Sequence, residues 1–285
     1  MSSEIHCLIC NGGDFDCIAH YITPDMYERA VGVSEAGYRR EWIRCKRCHF
    51  IQSDFNRDPM ILNRLYEEGY RDIAAAWRSG NTEEIFKKVI NLPFEQSETK
   101  QRVHWLLAAL RDLEIAGFFK LATPEKGRAL DVGGATGAFA YELQEISEGN
   151  WRSTVIDPAH AGTFLARDWN VEYVQKPFER AEFEHEFDLI SLVFALEHLN
   201  DPDAVLQLAL KCLSPNGCVF VEVPDSIVFQ RLELDDDIFN SCHLWMFEPA
   251  TLSSLIERNG FVTSALRRYR TARGHYSLSV IGTVA

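Results

Sequence analysis

From residue 128 onward, short apolar runs alternate with segments whose apolar residues repeat at helical spacing. No other feature of the sequence restricts the fold as strongly. Strands are expected at residues 129–132, 153–156, 171–174, 188–193 and 218–223, and after a helix that follows Pro249 two more are expected at 261–269 and 276–284. Alternation of this kind is typical of a parallel sheet with helices on both faces. The sequence therefore predicts an α/β fold with a Rossmann-like sheet of seven strands, whose ligands bind at the carboxyl ends of the strands.

Three parts are expected along the chain. Residues 1–55 contain two cysteine pairs and are predicted to form a small, ribbon-like zinc-binding module. Residues 56–122 are predicted to form a helical linker or lid, with helices beginning at Pro59, running from Thr82 to Ile90, and beginning near Ser97. Residues 123–285 are predicted to form the α/β domain.

The two cysteine pairs each have the spacing C-x-x-C, with Cys7 and Cys10 in one and Cys45 and Cys48 in the other. Four thiolates at about 2.3 Å complete the tetrahedral coordination of zinc and leave no open position. We therefore expect a structural zinc ion without a catalytic role. Four buried cysteines without metal, or a redox-active pair, are the alternatives. The intervening segment around residues 21–37 is expected to hold a strand or a loop. Other residues that could replace one ligand are His6, Cys17 and His49.

Charge and hydropathy limit the partners and the compartment. The formal net charge is -13 and the isoelectric point is about 5.2, whereas proteins that bind nucleic acid usually carry a basic surface. Nucleic acid is therefore a disfavoured partner. No apolar run has the length of a membrane span, and the first residues lack the basic and apolar regions of a signal peptide. A cytoplasmic location is expected, where paired cysteines more often bind metal than form disulfides.

A loop of small residues follows the first predicted strand of the α/β domain. Asp131 ends the strand, and Gly133, Gly134, Ala135 and Gly137 form the loop. Such residues let the backbone turn sharply and approach a ligand closely. The loop does not have the G-x-G-x-x-G spacing of a dinucleotide site, and no Lys-Ser/Thr follows it as in a phosphate-binding P-loop.

In this loop the sequence resembles class I S-adenosylmethionine-dependent methyltransferases, whose first motif is an acidic residue followed by glycines at alternate positions. Ala135 takes the place of the usual middle glycine. Residues 155–157, 187–190, 195–202 and 213–224 resemble later motifs of the family in the correct order, so the resemblance covers about 127–260. With its N-terminal cysteines, the chain is also distantly similar to zinc-ribbon methyltransferases that act on deoxysugar nucleotides.

The resemblance implies that S-adenosylmethionine is the cofactor. Asp157 is expected to accept hydrogen bonds from both ribose hydroxyls, unless it serves only as a helix N-cap before Pro158. The backbone of Gly133 and Gly134 is expected to contact the amino-acid part, with Asp131 orienting the loop or acting only as a structural carboxylate. The remaining residues expected to bind the cofactor are Gly137, Phe178, Phe194 and Ala195.

Methyl transfer requires that the acceptor and the methyl group are held in line, and a hydroxyl acceptor must also lose its proton. Three residues after strand ends are candidates for that role: Glu197, His198 and His243. Glu197 and His198 lie in a string common among small-molecule methyltransferases, where their role is often structural. His243 matches the last residue of a Tyr-x-Glu-His string that supplies the base in the deoxysugar methyltransferases, although Asn240 and Cys242 replace the tyrosine and the glutamate.

These observations predict an enzyme that methylates a small molecule. A hydroxyl of a sugar, a nucleotide sugar or a glycan precursor is the expected acceptor, which would place the enzyme in carbohydrate biosynthesis. Two alternatives stay open from the sequence. One is an RNA methyltransferase that binds RNA through the zinc module, and the other is a non-catalytic scaffold that binds the cofactor.

Overall fold

The computed structural model describes residues 5–54, 81–123, 126–159 and 162–285. The helix expected to begin at Pro59 lies outside these residues. Within them, no helix is both long enough and apolar enough to cross a membrane.

The predicted α/β sheet is present in the described residues. Its strands are β4 (Gly127–Val132), β5 (Trp151–Ile156), β6 (Glu172–Val174), β7 (Phe187–Val193), β8 (Leu213–Pro224), β10 (Phe261–Arg270) and β11 (Tyr276–Val284). They lie in the order β10-β11-β8-β7-β4-β5-β6. The five strands from β6 to β8 are parallel, and β11 is antiparallel to both of its neighbours. The predicted fold class is confirmed.

Helices flank this sheet, and several begin where the sequence predicts. Their bounds are α2 (Thr82–Ile90), α3 (Glu98–Ala116), α4 (Ala138–Ile146), α5 (Phe164–Asp168), α6 (Pro202–Cys212) and α7 (Pro249–Arg258). Ser97 caps α3 by accepting a hydrogen bond from Lys100 N, and Gly117 ends it with φ 79°. Asp201 caps α6, and Pro202 occupies its first turn.

Apolar side chains cover both faces of the sheet. Leu106 of α3 and Leu143 of α4 belong to one buried cluster, together with Phe220 of β8. Leu206 of α6 and Ile256 of α7 belong to a second. Burial on both faces explains why the strands read as continuous apolar runs.

A second sheet contains the N-terminal module. Its order is β1 (Phe15–Tyr21), β2 (Arg40–Cys45), β3 (Ile51–Ser53) and β9 (Trp245–Met246). Because β9 lies between β8 and α7 in the chain, the α/β part of the sequence supplies the fourth strand of the module. The predicted division at residues 55 and 122 stays a prediction, but backbone hydrogen bonding joins the two sides of the first boundary.

The segment between the cysteine pairs contains a short helix, α1 (Met26–Ala30), where the sequence predicts a strand or a loop. The Asp25 carboxylate accepts hydrogen bonds from Tyr27 N and Glu28 N, and the Glu28 side chain accepts one from Asp25 N. This reciprocal capping box stabilises a helical turn.

Candidate active site

The predicted site residues lie at the carboxyl edge of the parallel strands. The strand order reverses between β4 and β7, which is where α/β sheets open a crevice for ligands. The loops after these two strands are in contact, since a Cβ atom placed on Gly133 would lie 3.2 Å from the Cβ atom of Ala195. The structure therefore brings the predicted cofactor loop next to the segment that contains Glu197 and His198.

The loop after β4 depends on small residues. Gly133 and Gly137 have φ values of 66° and 73°, and Ala135 has a φ of 53°. A side chain at Gly134 would collide with the carboxylate of Asp131. Ala135 thus adopts a left-handed conformation that favours glycine, which costs an alanine about 1 kcal/mol.

Asp131 is the second-last residue of β4, and its carboxylate is buried. Its Oδ1 atom accepts a hydrogen bond of 2.7 Å from Ser191 Oγ, and its Oδ2 atom is buried with no hydrogen-bond partner among the described residues. Burial raises the pKa of Asp131 to about 7. A positively charged amino group would supply the missing donor and favour the ionised form. This carboxylate and the loop above it fit the amino-acid part of S-adenosylmethionine.

Asp157 follows β5 and is tied to the same loop. Its Oδ2 atom accepts a hydrogen bond of 3.1 Å from Ala135 N, and its Oδ1 atom accepts one of 2.9 Å from Ala159 N. The next described helix, α5, begins at Phe164 after Thr163. Asp157 therefore caps the turn at the end of β5 rather than that helix, and it holds the cofactor loop in place. Its predicted contact with ribose stays a prediction.

Phe178, Phe194 and Ala195 also follow strands of this edge. Phe178 is buried at the start of the short 3-10 helix Phe178–Arg180, after β6. Phe194 has a φ of 50° and donates a backbone hydrogen bond of 2.8 Å to Glu222 O. Left-handed backbone at a residue with a bulky side chain is strained and is often found at binding sites.

Glu197, His198 and His243 come together in space. One ligand atom from each lies within 4.8 Å of the others, and the two imidazole rings have their centroids 4.7 Å apart. The Nδ1 atom of His198 lies 3.0 Å from Cys242 O, and the Nδ1 atom of His243 lies 2.7 Å from Ile238 O. Since a carbonyl can only accept, each Nδ1 donates the hydrogen bond, and Nε2 is the ring nitrogen that can accept a proton or bind a metal when the ring is neutral.

Burial controls the charges of this cluster. Glu197 is fully buried, and neither of its carboxylate oxygens has a hydrogen-bond partner on another described residue. This desolvation raises the pKa of Glu197 to about 8 and lowers the pKa of His243 to about 4. Burial thus favours the uncharged form of both side chains.

The backbone around His243 links the cluster to the module. Leu244 N donates a hydrogen bond of 2.8 Å to Glu197 O, and Ser53 N donates one of 2.9 Å to Leu244 O. The position of His243 therefore depends on the strand pairing between β3 and β9.

A buried polar network beside Phe194 was not predicted from the sequence. Arg102 donates a hydrogen bond of 2.6 Å to Glu222, and the Tyr269 hydroxyl donates one of 2.8 Å to the same carboxylate oxygen. The Arg102 guanidinium also lies 5.5 Å from the centroid of the Phe194 ring. The signal that could have revealed it is Glu222 itself, a charged residue within the apolar run at residues 218–223.

The four cysteines of the module converge as the sequence predicts. Their Sγ atoms all lie within 4.8 Å of one another, with Cys7 and Cys48 3.4 Å apart and Cys10 and Cys45 3.5 Å apart. Thiolates around zinc at 2.3 Å are about 3.8 Å from one another. Soft sulfur ligands in this arrangement fit zinc.

Both cysteine pairs lie in similar turns. Asn11 N donates to Cys7 O and His49 N donates to Cys45 O, each at 2.9 Å. Asn11 and His49 both have left-handed backbone, with φ values of 57° and 61°. Each of the two matching turns directs two thiols toward the same point.

Comparison with protein families gives a match over more than half of the chain. A family profile described as a methyltransferase domain matches residues 104–266. The matched region includes most of α3, the glycine loop and the Glu197-His198 segment.

Among curated proteins, the chain is similar to two ubiquinone/menaquinone biosynthesis C-methyltransferases. It is 26% identical over 169 residues to the one from Allorhizobium ampelinum, covering 54% of this chain and 62% of that protein. It is 28% identical over 103 residues to the one from Shewanella woodyi, covering 33% of this chain and 41% of that protein. The chain thus spans less than two thirds of the length of each of these relatives.

Among solved structures, the fold is similar to that of 1,6-didemethyltoxoflavin-N1-methyltransferase from Burkholderia thailandensis, which was solved with S-adenosylhomocysteine. The TM-score is 0.55 at 16% identity, and the match covers 85% of this chain and 98% of that one. At this identity the similarity concerns the fold alone.

Proposed function

Because the chain belongs to the methyltransferase domain family, we propose that it uses S-adenosylmethionine to methylate a hydroxyl group of a small molecule. The acceptor class that we favour is a sugar, a nucleotide sugar or a glycan precursor, as the sequence predicts. The acidic net charge of -13 supports a small acceptor over nucleic acid.

The observation that carries this proposal is the position of Glu197, His198 and His243. Their ligand atoms lie within 4.8 Å of one another, and Glu197 is two residues beyond Ala195, which lies against the cofactor loop at Gly133. An acceptor atom that attacks the methyl group through a lone pair and loses no proton does not need a proton-accepting side chain nearby. The imidazoles of His198 and His243 can each accept a proton, and they therefore favour an acceptor that must be deprotonated.

The chain contributes binding and orientation. Asp131 and Asp157, with the backbone of Gly133 and Gly134, hold the cofactor, which supplies a methyl group already activated by its sulfonium charge. The backbone carbonyl of Ile238 accepts a hydrogen bond from His243 Nδ1 and so fixes the ring. The Nε2 atom of His243 is therefore the first candidate to receive the hydroxyl proton. Holding the acceptor oxygen in line accounts for much of the rate enhancement expected of such an enzyme.

We also propose that Cys7, Cys10, Cys45 and Cys48 bind a structural zinc ion. Their mutual distances and their matching turns support this assignment. Thiolate ligands require reduced cysteines, which agrees with the cytoplasmic location predicted from the sequence. Through β3 and β9 this module would hold His243 in place.

Methylation of a ring carbon is the second candidate, because both curated relatives are named as C-methyltransferases. A carbon acceptor beside a ring hydroxyl also gives up a proton, so the same cluster could serve it. The chemical nature of the methylated product separates the two candidates.

The test is transfer of radiolabel from methyl-labelled S-adenosylmethionine into a cell extract, which is then fractionated into small molecules, glycans, lipids and nucleic acids. We expect label in the small-molecule or glycan fraction, as an alkali-stable methyl ether. His243→Ala should abolish at least nine tenths of it, since removal of a proton acceptor typically costs 10²–10⁴-fold in rate.

The matched control is His185→Ala. His185 also has its Nδ1 atom at a backbone carbonyl, Leu213 O at 2.8 Å, but it lies before β7 at the opposite edge of the sheet. Label in RNA, or in a ring carbon, would contradict the proposed acceptor. Cofactor binding without transfer to any fraction would instead indicate a scaffold.

A further inference from the structure

We propose that Glu197, His198 and His243 form a binding site for a divalent transition-metal cation, separate from the cysteine site of the module. The role we assign to the cation rests on the proposed methyl transfer to a hydroxyl, whereas its binding can be measured without any acceptor.

Both imidazoles are oriented as metal ligands are. Cys242 O and Ile238 O accept from the Nδ1 atoms of His198 and His243, at 3.0 and 2.7 Å. A histidine that binds a metal through one ring nitrogen commonly donates its other N–H to a carbonyl or a carboxylate, which fixes the tautomer and the ring direction. Here both rings are fixed by main chain.

Glu197 supplies the observation that is hardest to explain without a ligand. Its side chain is fully buried, and neither Oε1 nor Oε2 has a hydrogen-bond partner on another described residue. His198 Nε2 lies 4.0 Å from Oε1, which is beyond hydrogen-bond distance. A buried carboxyl group is ordinarily hydrogen-bonded or bound to a metal, so one without such a partner beside two imidazoles indicates a cation-binding site.

The ligand set indicates the class of cation. Two imidazoles and one carboxylate suit Mn²⁺, Fe²⁺, Co²⁺ and Zn²⁺, and three ligands leave coordination positions open. The three ligand atoms lie within 4.8 Å of one another, so modest side-chain rotations would bring them to bond lengths of about 2.0–2.2 Å. The four-thiolate site has no such open position.

An open site here would suit the proposed chemistry. Glu197 lies two residues beyond Ala195, which contacts Gly133 of the cofactor loop. A cation at this position would lower the pKa of a hydroxyl that coordinates it. The hydroxyl proton would then pass to water. As the acceptor oxygen forms its bond to the methyl carbon, the bond from that carbon to sulfur breaks, and S-adenosylhomocysteine leaves. His243 would act in this case as a ligand rather than as the base.

The experiment measures Mn²⁺ binding to the full chain, with its cysteine site loaded with zinc, by electron paramagnetic resonance and titration calorimetry. Mn²⁺ prefers nitrogen and oxygen ligands to thiolates, so it reports on the proposed site. We expect one Mn²⁺ per chain, with affinity reduced at least tenfold in both Glu197→Gln and His198→Asn. His185→Asn, the control at the opposite edge, should bind Mn²⁺ as the parent does.

Thermal unfolding identifies any variant that fails to fold, and His198→Asn is the safer one because its side chain is 13% exposed. Absence of Mn²⁺ binding, or Mn²⁺ binding that both variants leave unchanged, would overturn the proposal. Methyl transfer that persists after removal of all metal except the module zinc would overturn the catalytic role alone and leave the proposed function intact. Cation binding without transfer to any acceptor would contradict the proposed function while the site itself stands.

Discussion

Arg102 of α3 donates a hydrogen bond of 2.6 Å to Glu222 of β8, and both side chains are buried. This ion pair joins the helix before the α/β domain to the strand next to the candidate active site. Tyr269 and Ser279 also donate to the Glu222 carboxylate, at 2.8 and 2.9 Å. The carboxylate is thus well satisfied, and the pair depends on both of its charges being present.

The first prediction concerns the stability of this pair. Arg102→Met should lower the free energy of unfolding by about 3–5 kcal/mol, because it removes the cation that hydrogen-bonds to the buried Glu222 carboxylate and leaves only the more distant Arg267, at 3.9 Å. Urea unfolding followed by circular dichroism measures the change. Arg128→Met is the matched control, since its 2.9 Å pair with Glu186 is half exposed and should contribute about 0–1 kcal/mol. Equal effects of the two substitutions would contradict this account of the buried pair.

The second prediction concerns the zinc module. Cys45→Ser should abolish stoichiometric zinc binding, measured by elemental analysis of the purified chain, because a tetrahedral site loses one of four ligands. Methyl transfer should fall with it, since β3 pairs with β9 directly after His243. Cys17→Ser is the control, because Cys17 is exposed and lies outside the cluster. If zinc content is unchanged in Cys45→Ser, the assignment of the four ligands is wrong.

The third prediction follows from the raised pKa of Asp131. Burial raises it to about 7 from an ordinary value near 3.8, so the folded chain holds the proton more tightly than the unfolded chain does. The protonated Asp131 therefore contributes to the free energy of unfolding, and this contribution is fully present below about pH 4. It is lost as the pH rises to about 7, by up to about 1.4 kcal/mol per pH unit. Asp131→Asn should remove this loss from the cofactor-free protein.

Urea unfolding at several pH values between about 5 and 8 checks this prediction. The difference in unfolding free energy between Asp131→Asn and the parent should grow in favour of the variant up to about pH 7 and then level off. Its affinity for S-adenosylmethionine should nevertheless fall, because the carboxylate that would meet the amino group is gone. Parallel pH profiles for the two proteins would show that Asp131 titrates normally.

The sequence predicts best where the signals are local. Helix α2 has the predicted bounds Thr82–Ile90, because Asn81 caps one end and the chain turns before Pro93 at the other. Six of the seven strands of the α/β sheet were predicted to within two residues, because burial on both faces leaves uninterrupted apolar runs. The exception is β8, which begins at Leu213, five residues before the predicted start. The C-x-x-C spacing of the two cysteine pairs was also sufficient to predict that the four thiols form one cluster.

What the sequence does not reveal depends on contacts between distant segments. Strand β9 has only the residues Trp245 and Met246, and it forms by pairing with β3 almost two hundred positions earlier. Its own residues carry no strand period, since two residues are too few to show one. Glu197 and His243 were each identified as candidates from the sequence. That they lie in one cluster depends on the pairing of β3 with β9, which the sequence does not show.

The fourth prediction tests strain in the cofactor loop. Ala135 has a φ of 53°, so Ala135→Gly relieves a left-handed alanine and should raise the free energy of unfolding by about 0.5–1 kcal/mol. The same change at Ala138, which lies in the first turn of α4, should lower it by about 0.5–1 kcal/mol. Opposite signs from one substitution at two positions three residues apart isolate the backbone conformation as the cause. If Ala135→Gly also destabilises the chain, then the alanine methyl group makes packing contacts that outweigh the strain, and its replacement of the usual glycine is a stabilising feature of this loop.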